Sequence, residues 1–242
     1  MRWIKLEFLK KYIKDLPLGL ILPLLAFVLA IYFFTDIAYD IIWKQEVETD
    51  HAVFKFLSLH VINPTLTSIM EVITYAASSQ FLQAAYLGLI IFYLIKKNFK
   101  RSIEIAVVGI TGTIINLVMK NSFHRLRPPD PLVAPLQSFS FPSGHATSGF
   151  IFYSLIAYLV WKTNWPKKTK ILLGILSILF SLVIGFSRIY LRVHYASDVA
   201  AGIACGFAWI LLCVWIMEKT TKQARREVVE EQGVAPPAKD MK

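Results

Sequence analysis

Hydrophobic residues in this chain come in long blocks rather than in alternation. Six runs carry no charge: residues 16–34, 79–95, 105–119, 146–161, 171–187 and 199–217, each 15 to 19 residues long. A helix crosses roughly 30 Å of hydrocarbon with about 20 residues, a length each run reaches once its polar ends are added. Only helices and closed barrels span a bilayer, and unbroken apolar runs are the helical pattern. The prediction is an all-α fold: an integral membrane bundle of six transmembrane helices.

Between the first two runs lies a long link, 36–78. Asn63-Pro64 is a helix-start signal, and Ile62, Leu66, Ile69, Met70 and Ile73 follow at helical spacing. The link is therefore expected to hold an amphipathic helical segment on the outer face, or one that extends the second span at an angle. His51 and His60 read as solvated or capping residues there, and Glu71 as part of the polar face. Residues 1–217 form one membrane domain in this reading, with the outer segment at about 36–78. Residues 218–242 form a charged tail that continues the last helix and ends disordered in the cytoplasm.

Composition agrees with the pattern. The 242 residues are 56% hydrophobic with a mean hydropathy of +0.55, too apolar for a soluble domain with ordinary surfaces. The first run is long, is interrupted by Pro17 and Pro23 and lacks a clear small-residue cleavage site, so it reads as an anchor and not as a removable signal. Cys205 and Cys213 stand eight residues apart in the last run, too far for a disulfide within one helix, and read as packing residues.

Charge then orients the bundle. Nineteen of the 26 basic residues fall in segments on one side of the six-span arrangement: 1–15, 96–101, 162–170 and the tail. By the positive-inside rule both termini are cytoplasmic. The net charge of +10 is thus an orientation signal, and no nucleic-acid partner is expected.

Seven basic residues remain outside, and five of them gather beside histidines: Lys120, Arg125 and Arg127 near His124, and Arg188 and Arg192 near His194. Topology gives no reason for cations there, so the two segments point to a bound anion. Ionisable groups this near a bilayer mark function by default. Pro128 and Pro129 end the third helix, letting Lys120 and Arg127 converge across its end. Ser143 and Gly144 precede the fourth run at a helix N-terminus, where free N–H groups and the dipole favour an anion. His145 shares that mouth. Asp198 follows His194 by four residues, one turn along the same face if the chain is helical there, and can hold one imidazole nitrogen while the other acts as base or nucleophile.

This set suits phosphoryl transfer: cations and N–H donors for three equatorial oxygens, a nucleophile and an in-line acid. No cluster of carboxylates is present for Mg²⁺ or Ca²⁺. Zinc on two histidines and one aspartate would meet the repulsion of the neighbouring cations. No metal and no cofactor are expected.

The ordered triple of Lys120-x6-Arg127-Pro128, Pro142-Ser143-Gly144-His145 and Ser187-Arg188-x5-His194-x3-Asp198 resembles the signature of the type 2 phosphatidic acid phosphatase (PAP2) superfamily. The motifs cover about thirty residues, and the span pattern extends the resemblance over 16–217. The resemblance implies a metal-independent lipid phosphatase. In it His194 attacks phosphorus, Asp198 fixes its tautomer, and His145 protonates the leaving oxygen. Lys120, Arg127, Ser143, Gly144 and Arg188 would hold the phosphoryl oxygens. Arg192 departs from the small residue expected at its position, and Arg125 is a further basic residue beside Arg127. Both are expected to contact a second phosphate or lipid headgroups, or else Asp130.

The expected partners are the bilayer and a membrane lipid phosphate, dephosphorylated at the outer leaflet of a bacterial cytoplasmic membrane. Undecaprenyl diphosphate comes first, because two extra arginines suit a diphosphate. Phosphatidylglycerophosphate, phosphatidic acid and lipid A phosphates are alternatives. A phosphotransferase using the same site, a phosphatase of soluble esters and a non-catalytic lipid-binding or transport protein are the other readings. The last expects a missing nucleophile or acid, whereas His145, His194 and Asp198 are all present.

Overall fold

A computed structural model describes residues 18–44 and 48–231. The basic segment 1–15 and the end of the charged tail lie outside the described residues. Among the described residues all regular structure is helical: α1 (Leu18–Tyr39) running into a π-helical turn (Asp40–Lys44), α2 (Glu48–His60), α3 (Pro64–Tyr75), α4 (Ser79–Ile95), α5 (Phe99–Phe123), α6 (Gly144–Trp161), α7 (Lys167–Tyr190) and α8 (Ala196–Glu231), with a non-helical loop over 124–143.

Local chemistry sets these boundaries. Asn63 caps α3 by accepting from Leu66 N at 2.9 Å, with Pro64 in the first turn, and Ser78 caps α4 through Phe81 N at 3.2 Å. The α3 and α4 axes bend by 43° across the short break between them. The long outer link thus holds two helices, α2 and α3, the second continuing into the second apolar run at an angle. Helix α5 begins six residues before its apolar run, because Asn98 caps it at Arg101 N (3.1 Å) and Arg101 pairs with Glu104 at 2.8 Å. It ends where His124 turns left-handed, φ 47°.

Four segments are long and apolar enough to cross a membrane: Ile21–Lys44, Phe99–Phe123, Lys167–Tyr190 and Ala196–Thr221, with a fifth if the bent α3–α4 pair is one broken span. Helix α6 is not among them; its first turns carry His145, Thr147 and Ser148. The fold is turned inside out relative to a soluble protein. Leu22, Leu24, Leu25, Val28 and Leu29 on α1 are all more than half exposed, as a hydrocarbon-facing surface requires.

Helix α6 is the hub. Phe150, Ile151, Leu155 and Leu159 meet Ile105 and Val108 of α5 and Ile210, Cys213 and Met217 of α8 in one core cluster. On the other side Phe152 packs with Ile184 of α7, Leu82 of α4 and Ala77. Close approach of α6 and α8 depends on Gly202 and Gly206, spaced as G-x-x-x-G. A Cβ at Gly202 would stand 2.8 Å from Ser143 O, and one at Gly206 would stand 2.9 Å from Thr147 O. Both obstacles are backbone and cannot give way. This seam brings the start of α8 against the mouth of α6.

Gly202→Val is therefore expected to lower the melting midpoint in detergent, by the equivalent of about 1–3 kcal/mol for an overpacked site. It should also reduce activity more than Gly174→Val, since Gly174 has open space where its Cβ would go. Equal behaviour of the two variants in thermal melts would contradict the seam.

Candidate active site

The end of α5, the start of α6, the end of α7 and the start of α8 bring the charged motif residues to one place. His194 lies in the turn 191–195 between α7 and α8, two residues before α8 begins, so it does not share a helical face with Asp198 as the spacing suggested. The turn achieves the same pairing. His194 N donates to Arg188 O at 3.2 Å, Arg192 adopts φ 54°, and Tyr195 N donates to Asp198 Oδ2 at 2.9 Å, folding the chain back over the first turn of α8. His194 Nδ1 then stands 3.4 Å from Asp198 Oδ2.

The tautomer follows from the other nitrogen. His194 Nε2 faces Arg127 Nη1 at 3.2 Å. A guanidinium only donates, so Nε2 is the acceptor, and the proton resides on Nδ1 beside the carboxylate. The ring is 1% exposed. Burial, followed by the nearby Arg127 and Arg188 charges, pushes His194 from 6.5 down to about 4, against the opposing pull of Asp198. His194 is a neutral imidazole with its lone pair on Nε2.

Asp198 is fully buried. Its Oδ2 accepts from Ser140 Oγ as well as from Tyr195 N, and its Oδ1 accepts from Arg125 Nη1 at 2.5 Å. Its backbone carbonyl accepts from Ser143 N at 3.0 Å, joining the start of α8 to the mouth of α6.

Three cations surround this pair. Arg127 makes five hydrogen bonds, to Ser138 O and Oγ, Phe139 O, Val193 O and His194 Nε2. Lys120 Nζ meets the same Ser138 Oγ at 3.3 Å, so Lys120 and Arg127 do converge across the end of α5. Arg188, 5% exposed, donates from Nη1 to Thr74 Oγ1 at 2.7 Å, while its Nε is buried without a partner. Among the described residues none of the three forms an ion pair with a carboxylate, although the Asp198 charge acts on Lys120 and Arg127. A buried donor on an unneutralised guanidinium is the mark of an anion site.

At the mouth of α6, Ser143 Oγ accepts from Ala146 N at 3.4 Å, and the N–H groups of Gly144 and His145 precede the first intrahelical bond, Thr147 N to Ser143 O at 2.9 Å. A Cβ on Gly144 would come within 2.7 Å of Asn116 Nδ2. His145, in the first turn of α6, lies within electrostatic reach of Arg188, His194, Lys120 and Arg127.

Two arginines behave differently from the expectation of a second phosphate contact. Arg125 points to the far side of Asp198: its Nη1 binds Asp198 and Ser197 Oγ (2.9 Å), its Nη2 binds Asp50 Oδ2 at 2.8 Å, and its guanidinium lies over the Tyr195 ring at 4.1 Å. Two carboxylates already satisfy it, and Asp130 is not among its partners. Arg192 donates to Ser58 Oγ of α2 and lies 5.9 Å from the Phe54 ring, while its Nε is buried without a partner. Sequence reasoning missed Asp50, Thr74, Asn116, Ser138 and Ser140. None belongs to a recognisable motif, and each reaches the site only through the fold.

Among the described residues no group of three His, Cys, Asp or Glu is placed to hold a metal ion. An apolar groove of about 600 Å³, lined by Ala26, Ala30, Phe33, Ala204 and Phe207 among others, runs along the α1–α8 seam and includes none of the charged residues above.

The family model of the PAP2 superfamily matches residues 101–222, which contain all of these motif residues. Phosphatidylglycerophosphatase B of Bacillus subtilis is 31% identical over 190 residues, covering 77% of this chain and 92% of that protein. An undecaprenyl-diphosphatase of Sulfolobus acidocaldarius is 28% identical over 123 residues, 48% of this chain and 55% of the relative. The crystal structure of a transmembrane PAP2 type phosphatidylglycerolphosphate phosphatase from Bacillus subtilis superposes with a TM-score of 0.74 at 29% identity, covering 80% of this chain and 96% of that one.

The burial of His194 has a measurable consequence. Between about 4 and 6.5 the unfolded chain binds a proton that the folded ring refuses. This contribution to stability is complete above pH 6.5 and is lost as the pH falls towards 4. NMR titration of the labelled imidazoles in detergent should find His194 neutral through pH 6.5, protonating only as pH 4 is approached. A midpoint at or above 6.5 would contradict the buried, cation-flanked environment.

Proposed function

The chain belongs to the PAP2 superfamily, and from that membership we propose its mechanism, substrate and orientation. It is a membrane-embedded phosphoric ester hydrolase of the lipid phosphatase kind. The observation that carries the mechanism is the disposition of His194: Nδ1 on the buried Asp198 carboxylate and Nε2 facing Arg127.

In the first step the Nε2 lone pair attacks phosphorus. An N–P bond forms as the P–O bond to the lipid breaks, and His145 gives its proton to the departing oxygen. A phosphate dianion beside His145 favours the protonated ring that this step needs. The imidazolium created on His194 keeps its Nδ1–H on Asp198. In the second step neutral His145 takes a proton from water, the water oxygen attacks phosphorus, the N–P bond breaks, and inorganic phosphate leaves. Arg188, Lys120 and Arg127 hold the three non-bridging oxygens, with the Ser143 hydroxyl and Gly144 N–H at the mouth of α6. For Arg127 this means exchanging its bond to Nε2 for a phosphoryl oxygen, which frees the nucleophile as substrate arrives.

Substrate follows from what surrounds that one phosphoryl site. The argument for a diphosphate rested on Arg125 and Arg192, and Arg125 is committed to Asp50 and Asp198. A single terminal phosphomonoester fits the remaining cations, and phosphatidylglycerophosphate is the first candidate, in line with the relative that shares 31% identity. Undecaprenyl diphosphate is the second reading, favoured by the unpartnered Nε of Arg192 and by the likeness to an undecaprenyl-diphosphatase.

Six spans follow if α3–α4 counts as one, joined by α1, α5, α6, α7 and α8. The basic segments between spans then put both termini and the tail in the cytoplasm, and the site at the outer face of a bacterial cytoplasmic membrane. The phosphate sits at helix ends while the tails stay in lipid.

Phosphate release by the purified protein should persist in excess EDTA and fall to background in His194→Ala. Asp198→Asn should keep about one part in a hundred to one in ten thousand, because it disturbs orientation without removing the nucleophile. Phosphatidylglycerophosphate should outrank undecaprenyl diphosphate and phosphatidic acid in kcat/KM. Full activity in His194→Ala, or loss of wild-type activity in EDTA, would overturn the mechanism. A reversed ranking would overturn the substrate alone.

A further inference from the structure

Behind the nucleophile lies a charge relay that the three motifs do not include. Asp50, in the first turn of α2, is 3% exposed and 147 residues away in sequence from the segment it binds. Its Oδ1 accepts from Ser197 N at 2.9 Å, and its Oδ2 accepts from Ser197 Oγ at 2.5 Å and from Arg125 Nη2 at 2.8 Å. It therefore caps the first turn of α8 from another helix while sharing Arg125 with Asp198. The row reads His194, Asp198, Arg125, Asp50, with Arg125 10% exposed and pressed on the Tyr195 ring.

Charge counting gives this row a purpose. An imidazolium forming on His194 needs a net negative charge behind it. Arg125 alone against Asp198 would make a neutral pair and withdraw that charge. With Asp50 on the other side of the guanidinium, the three groups sum to one negative charge, directed at Nδ1 through Asp198. The other charges acting on His194 are cationic, Arg127 from the loop before α6 and Arg188 from α7, with Lys120 of α5 beside Arg127 and His145 of α6 a second imidazole.

We propose that Asp50 and Arg125 are positioning residues of this reaction: Arg125 fixes the Asp198 carboxylate, and Asp50 prevents Arg125 from cancelling the charge that stabilises the His194 imidazolium. This rests on the reading of His194 as nucleophile. It also assigns the outer helix α2 a part in the chemistry, since its first turn completes the row.

The test uses the full-length protein in detergent. Asp50→Asn preserves shape and removes charge; it should lower kcat by about tenfold to a hundredfold, in the range of outer partners of a site, with KM within about twofold. Arg125→Gln should also lower kcat, and it should raise the NMR midpoint of His194, because two carboxylates then stand behind the ring. Asp50→Asn/Arg125→Gln restores the local net charge and should bring that midpoint back towards wild type. Loosened packing has no reason to produce a rise that a second substitution reverses. Arg125→Lys, which keeps the charge but not the two-armed geometry, serves if Arg125→Gln does not fold, and should lower kcat with a midpoint close to wild type. Wild-type kcat in Asp50→Asn, or no return of the midpoint in the double variant, would overturn the proposal. His194→Ala measured alongside separates the cases: activity there sinks the nucleophile reading itself, whereas an inactive His194→Ala beside a fully active Asp50→Asn sinks only the relay.

Discussion

A carboxylate sealed from water must be met by donors on its lone pairs or lose its charge, and one end of this bundle is built around meeting those of Asp198. Ser140 reaches it from the loop before α6, Tyr195 N from the turn before α8, Arg125 from beyond the end of α5, and His194 from the turn after α7. The partners come from two connections, 124–143 and 191–195, so satisfying one ion fixes the mutual placement of both. Breaking a buried pair of this kind generally costs about 3–5 kcal/mol, because the stranded charge has no water to turn to. The geometry of the proposed nucleophile is thus a by-product of a solvation requirement. The imidazole goes where Asp198 needs a donor, and its other nitrogen is left facing the cations.

The rest of the fold makes that arrangement possible by bringing backbones unusually close. With lipid outside, the hydrophobic effect does not press helices together, and close packing at small residues does. Gly202 and Gly206 let α8 lie against α6, so that Ser143 N reaches Asp198 O and the mouth of one helix meets the start of the other. Farther out, Tyr190 at the end of α7 accepts from Asn63 N at the cap of α3, and Arg188 in the same turn binds Thr74 of α3. The outer helices are therefore bonded to the turn that carries His194, which is how a segment outside the spans comes to matter to the site.

Much of this was legible in the sequence, for reasons that also mark its limits. Uncharged runs of membrane length locate helices, but they understate them: α5 starts at Phe99 because Arg101 and Glu104 neutralise each other within the helix, and α8 continues to Glu231, far beyond Met217. The three motifs bring Lys120, Arg127, Ser143, Gly144, His145, Arg188, His194 and Asp198 to one place because each sits at a helix end on the same face of the bundle. Arg125 and Arg192 were harder. A basic residue two positions from a motif looks like one more cation for the ligand, and only the fold reveals the acids that claim Arg125 and the Ser58 hydroxyl that meets Arg192. Asp50 gave no signal, since an acidic residue in the first turn of a helix is ordinary and its partners are 75 and 147 residues away.

The proposed reaction passes through a covalent bond between phosphorus and His194 Nε2, and trapping that bond tests it most directly. Purified protein mixed with a lipid phosphate labelled in its terminal phosphate, and quenched in alkali within one turnover, should carry label that is stable to base and released by acid. Mass spectrometry should then place it on the peptide containing His194. Label on another residue, or turnover with no covalently held phosphate at any time point, would contradict the account.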